Sequence, residues 1–165
     1  MRAEAWSALL EARALTEAVT PLRTDCGRVC GGACCQPDET GRGGMLLFPG
    51  EEALYRERPG YTVTADPTPG APGLLLTCSG ACRREERPLS CRIFPLLPVE
   101  RSGRIAVVRD RRGFEVCPLL PSGLGAFQPA FIEAVRAAGT VLYRVEEHRV
   151  FLTQLHRLIA EFASL

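Results

Sequence analysis

Eight cysteines are the residues of this 165-residue chain whose type and spacing point to chemistry. Four fall in the run Cys26-Gly-Arg-Val-Cys30-Gly-Gly-Ala-Cys34-Cys35. Three more follow as Cys78-x3-Cys82-x8-Cys91, and Cys117 stands alone before Pro118. Thiolates are soft ligands that select zinc, iron–sulfur clusters or Cu(I) over Mg or Ca. Eight thiols match either two four-thiolate sites or one cluster with spare ligands. Convergent thiolates repel one another unless a cation lies between them, so metal is expected to be needed for this part of the chain to fold. Gly27, Gly31 and Gly32 let the backbone turn tightly and aim its amides at sulfur. A helix would align Cys26, Cys30 and Cys34 on one face, but those glycines argue against one.

The spacing leaves the metal open. Zinc ribbons use paired C-x2-C knuckles, and this chain has none. The bacterial ferredoxin run C-x2-C-x2-C-x3-C-P is also absent, and only Cys117-Pro118 matches its end. A set of buried free thiols is the bland alternative, and the adjacent pair Cys34-Cys35 argues against it. A disulfide framework would suit an exported protein. Glu4, Glu11 and Arg13 interrupt the first fifteen residues, which read as a mature helix rather than a secretory signal. The expected location is the cytoplasm, where thiols stay reduced.

Several other chemistries are excluded or weak. All twenty basic residues are Arg, so there is no Schiff-base lysine and no P-loop. A GC-rich genome is a sufficient reason for the missing Lys and Asn. H-E-x-x-H, G-x-S-x-G and G-x-G-x-x-G do not occur, nor does the C-x3-C-x2-C triad of radical S-adenosylmethionine enzymes. His148 and His156 read as exposed or half-buried histidines of one helix. Arg83-Arg84 and Arg111-Arg112 are offset by Glu85, Glu86 and Asp110, and the formal net charge is +1. No nucleic-acid partner is therefore expected. No stretch of about 18 apolar residues occurs, so no membrane partner is expected either.

The elements that must position the cysteines follow from Gly and Pro. All but two of these residues lie between Pro21 and Gly125; the exceptions are Pro129 and Gly139. The ends therefore read as helical and the middle as loops with short strands. One helix is predicted over about Ala3 to Val19, with Trp6, Leu9, Leu10, Leu15 and Val19 spread around it. A second starts near Pro129 and can end at Gly139. A third runs from about Leu142 to Phe162, with Val145, Leu152, Leu155, Ile159 and Phe162 on one apolar face. Strands are predicted at Met45–Phe48, Tyr61–Thr64, Leu74–Thr77, Pro98–Glu100 and Arg104–Arg109, the last two forming a hairpin around Arg101-Ser102-Gly103. Asp66–Gly73 is too rich in Pro for regular structure. The expected fold is small α+β: N- and C-terminal helices around a Gly/Pro-rich, cysteine-ligated metal core of loops and short strands. It is one domain over 1–165, divided into a helical arm (1–20), a cysteine-cluster segment (21–125) and a second helical arm (126–165).

At two places the chain resembles a known family. Cys26-Gly-Arg-Val-Cys30-Gly-Gly-Ala-Cys34-Cys35 looks like the signature of the CxxCxxCC family, the zinc- or iron-chelating domain of YkgJ-like cysteine-cluster proteins. Arg87-Pro88-Leu-Ser-Cys91-Arg92-Ile-Phe94-Pro95 is similar to that family's RP-x-x-C-R-x-F/Y-P segment. The spacing before Cys34 is one residue longer than the family name implies, and Arg83-Arg84 replaces the usual Ile-Tyr. The resemblance covers Cys26 to Cys117. It implies metal chelation by Cys26, Cys30, Cys34, Cys35, Cys78, Cys82, Cys91 and Cys117, with zinc or iron (mononuclear or as an iron–sulfur cluster) as cofactor. It also gives Arg87 and Arg92 a place beside the ligands, where guanidinium groups offset negative charge and donate hydrogen bonds. Arg83 and Arg84 read as solvated. The metal ion is the one partner expected. Its role is structural, redox or sensing; the alternatives are a methylase-like enzyme using an iron–sulfur cluster, since some larger flagellin lysine methylases carry a related cluster, and a thiol-based metal carrier.

Overall fold

The computed structural model describes residues 2–37, 43–80 and 82–161. Five α-helices and five strands are present among them: α1 (Ala3–Leu15), α2 (Gly27–Cys30), β1 (Met45–Leu46), β2 (Tyr61–Ala65), β3 (Leu74–Cys78), α3 (Leu89–Ile93), β4 (Leu96–Arg101), β5 (Arg104–Arg109), α4 (Pro129–Leu142) and α5 (Glu146–Glu161). The fold is α+β, with helices at both ends. No described helix is long and apolar enough to cross a membrane.

The strands form two antiparallel sheets. One has the order β1-β3-β2, with Tyr61 opposite Cys78 and Met45 opposite Leu76. The other is the hairpin β4-β5, closed by Ser102 and Gly103 at φ 51° and 74°. Two successive positive φ values give a two-residue turn whose twist matches that of the strands. Hydrophobic burial extends β4 back to Leu96, because Leu96, Leu97 and Val99 are all buried. The predicted strand at Met45–Phe48 pairs only at Met45 and Leu46; Leu47 and Phe48 turn into the interior as buried side chains.

The helix starts at Ala3 and Pro129 agree with expectation, whereas the end of the first helix, the end of the second and the start of the third differ. The first ends at Leu15 rather than Val19, where Thr16 Oγ1 donates to Ala12 O and closes the last turn. Its buried face is Ala5, Ala8, Leu9 and Ala12, so the small side chains let α1 lie close on α4. Gly139 does not end α4. It sits inside the helix, where a Cβ would lie 2.4 Å from Pro98 Cβ and 2.9 Å from Ile105 Cγ2. This glycine brings α4 against the β4-β5 hairpin. Leu142 closes α4, and α5 starts after a turn, at Glu146. The expected apolar position Phe162 lies outside the described residues. The main core joins Leu9, Leu89, Leu97, Phe131, Val135 and Leu152 across all these elements. A smaller cluster of Leu47, Tyr55 and Leu76 packs beneath the three-stranded sheet.

His148 corrects another expectation. It is fully buried, with Nε2 2.8 Å from Ala5 O and its ring edge-on to Phe48. Burial holds its pKa below the usual histidine value. The neutral ring is a link between α5 and α1. His156 is partly exposed.

Candidate metal centre

The first cysteine run folds as a single helical turn followed by a break. Cys26 precedes α2 and Cys30 ends it. Gly31 and Gly32 then take φ 63° and 71°, a left-handed pair that a side chain would disfavour. The chain reverses into a 3-10 turn at Ala33–Cys35. The continuous helix that would have aligned Cys26, Cys30 and Cys34 is thus replaced by a tight fold-back. Cys78 ends β3, Cys91 sits in the middle of α3, and Cys117 follows the turn after β5. A Cβ at Gly80 would lie 3.1 Å from Cys35 O, so that glycine lets the Cys78–Cys82 loop close onto the first run.

All eight cysteines line two adjoining cavities. One, of about 310 Å³, is bordered by Cys34, Cys35, Cys78, Cys82 and Cys91. The other, of about 40 Å³, is bordered by Cys26, Cys30, Cys34, Cys91 and Cys117. Cys34, Cys91, Arg87 and Phe94 border both. Four chain segments distant in sequence therefore meet at one place. Every cysteine is a free thiol, with Cys34 and Cys78 exposed. Among the described residues no three metal-ligating side chains already converge on a common point.

The electrostatics group the thiols. Cys34 and Cys35 lie 4.0 Å apart, sulfur to sulfur, close enough for either thiol to donate to the other. The hydrogen bond draws Cys35 down to about 6, helped by Arg87, while it and burial push Cys34 up. Beyond Cys35, the thiols whose charge bears on Cys34 are Cys26 and Cys30. Burial raises Cys91, and its thiol neighbours are Cys35, Cys82 and Cys78. Cys26 is raised by burial, then by Asp25 and Cys30, with Cys117 adding to the rise.

The arginines divide by role. Arg87 borders both cavities beside Cys82, where its guanidinium opposes the burial that raises that thiol. Its Nε is buried with no acceptor among the described residues. Tyr61, whose strand position faces Cys78, likewise carries a buried hydroxyl without a partner. Unpaired buried donors are costly, and a negatively charged metal–thiolate group would give them acceptors. The donor set, eight soft thiols with a cationic donor among them, fits zinc or iron.

Arg92 points elsewhere. It is buried, and its guanidinium donates to the carbonyls of Arg87, Arg13 and Glu85 at 2.8–2.9 Å. It holds backbone around the site and touches no thiol among these bonds. Arg83 is exposed and pairs with Glu85 and Glu86. Arg84, expected to be solvated, instead donates to the carbonyls of Thr16, Glu17 and Val19 beyond α1. Sequence reading missed Phe94 between the cavities and Glu51 behind them. Phe94 lay in a quoted motif, but nothing in Gly50-Glu51-Glu52 marks one carboxylate as buried.

Comparison with family models, curated proteins and solved structures finds no match for this chain.

Proposed function

We propose that this chain is a metal-binding protein that holds zinc or iron through its cysteine thiolates in two four-thiolate sites side by side. The meeting of all eight cysteines at two adjoining cavities carries this reading. Cys26, Cys30 and Cys117 border only the smaller cavity, and Cys35, Cys78 and Cys82 only the larger. Assigning Cys34 to the first set and Cys91 to the second completes four ligands each. Cys34 neighbours Cys26 and Cys30 as well as Cys35, and Cys91 neighbours Cys35, Cys82 and Cys78. The resemblance of the two motifs to zinc- or iron-chelating cysteine-cluster proteins points the same way. A reducing compartment such as the cytoplasm suits eight free thiols.

Zinc in such sites is a redox-inert crosslink, whereas an iron–sulfur cluster adds one-electron chemistry. The chain's own contribution is the same in both cases. Four segments supply sulfur, Arg87 offsets negative charge, and Phe94 borders both cavities. The smaller cavity has room for about one water-sized body, which suits a single ion.

The test is anaerobic purification followed by metal analysis and a visible spectrum. Two metals per chain without colour indicate zinc; iron with matching sulfide and a brown chromophore indicates a cluster. Cys117→Ser and Cys82→Ser are expected each to lose one site and keep the other. Loss of all metal in both would overturn the division into two sites. A folded wild-type chain with no metal and all thiols free would overturn metal binding itself.

A further inference from the structure

A further and larger cleft, of about 880 Å³, has no cysteine in its lining. It runs between β4-β5, the turn after β5 and the end of α5. Its polar lining is Arg101, Arg109, Arg111 and His156, and its apolar lining includes Phe114 and Leu124. No acidic residue is among its described lining residues. Its size is in the range of small-molecule sites.

Several arginines elsewhere pair with carboxylates: Arg2 with Glu147, Arg13 with Glu51, Arg58 and Arg83 with Glu86, Arg112 with Asp110 and Arg136 with Glu133. Among the described residues Arg101, Arg109 and Arg111 have no carboxylate within ion-pair distance. The cleft thus gathers three arginines and His156 with no carboxylate among its described lining residues. Arg109 is pre-positioned: it donates to Leu120 O at 2.7 Å, and its guanidinium carbon lies 5.3 Å from the centre of the Phe114 ring. Phe114 and Leu124 are 41% and 38% exposed, two of the six exposed large hydrophobic side chains among the described residues. A cleft that is both cationic and apolar recognises a molecule that is both anionic and apolar. Guanidinium groups match carboxylate and phosphate oxygens in geometry as well as charge, and aromatic side chains accept planar rings.

We propose that this cleft binds a small organic anion in which a phosphate or carboxylate group is joined to a planar ring. Arg101 and Arg111 pair with the anionic group, Arg109 holds Phe114, and Phe114 with Leu124 covers the ring. The site is separate from the cysteines and does not depend on the metal reading.

The experiment is isothermal titration calorimetry of the purified, metal-loaded chain with four probes: adenosine 5′-monophosphate, benzene-1,3-dicarboxylate, adenosine and inorganic phosphate. Binding of either ring-bearing anion, with adenosine and inorganic phosphate at least roughly tenfold weaker, is the expected result. Which of the two binds tells phosphate from carboxylate recognition. Arg101→Gln and Arg111→Gln remove exposed side chains that make no structural hydrogen bond among the described residues, so both are expected to fold. Each should weaken binding roughly tenfold, while Arg136→Gln, outside the cleft, should not. Failure of both ring-bearing anions to bind by about 10 mM overturns the proposal. So does equal binding by inorganic phosphate, unchanged binding in both cleft variants, or binding seen only with a polymer such as poly-glutamate.

Discussion

Glu51 accepts the backbone N–H of Leu89 through Oε1 at 2.7 Å. The same carboxylate pairs with Arg13 on α1 and accepts the N–H of Phe48 at 3.3 Å. Leu89 opens α3, the helix that carries Cys91. One fully buried carboxylate therefore ties the N-terminal helix, the segment after β1 and the cysteine-bearing α3 into one frame. Burial raises its pKa, opposed by Arg13 and the two backbone donors.

Glu51→Gln should be strongly destabilising. It leaves the largely buried Arg13 charge without its partner, a loss on the order of 3–5 kcal/mol for buried pairs. Denaturant unfolding measures it. A change below about 1 kcal/mol would mean that the pair behaves like an exposed one.

Arg87 and Arg92 should separate by phenotype although five residues apart in one motif. Arg92→Gln removes a guanidinium shared by three carbonyls and is expected to cost about 3 kcal/mol of stability with unchanged metal content. Arg87→Gln removes the donor beside Cys82 and is expected to weaken metal affinity at least about tenfold, with a smaller effect on the core. Unfolding curves and competition with a chelating dye give the two readouts. Identical profiles for both variants would contradict this division.

Metal removal should act locally. The main core is built from α1, α3, α4, α5 and the β4-β5 hairpin, and no cysteine is among its fully packed members. On chelation, limited proteolysis is expected to cut first within residues 26–37 and 78–88, with α4 and α5 protected longest. Simultaneous cleavage of the helices would show that the thiols support the whole fold.

Acidification should destabilise the protein through His148. Its folded pKa lies below the unfolded value of about 6.5, so the unfolded chain binds more protons as pH falls. Stability from the neutral ring is therefore present above about pH 6.5 and lost below it, by at most about 1.4 kcal/mol per pH unit for this one group. His148→Gln keeps a donor for Ala5 O and removes the titration. Between pH 7.5 and 5.5 the variant should lose less stability than the wild type in chemical denaturation. Parallel losses would assign the acid sensitivity to other groups.

Much of this molecule is legible in the amino-acid order. The confinement of Gly and Pro to the middle marks the two helical ends, because a helix tolerates neither residue well. Ser102-Gly103 marks the hairpin, since the turn needs positive φ twice. The eight cysteines announce thiolate chemistry by type and clustering alone. The positions of helix ends were not legible. Gly139 stays inside α4 because Pro98 and Ile105 need its missing side chain, a contact between residues over thirty positions apart. The roles of Arg84, Arg87, Arg92, His148 and Glu51 were equally hidden. Residue type sets which bonds a side chain is able to make. Burial and long-range neighbours set which bonds it does make, and those exist only once the chain has folded. Residue type and local spacing thus determined the two helical arms and the supply of clustered thiols. Tertiary structure alone decided that four distant segments share two cavities, and that three unpaired arginines face one cleft.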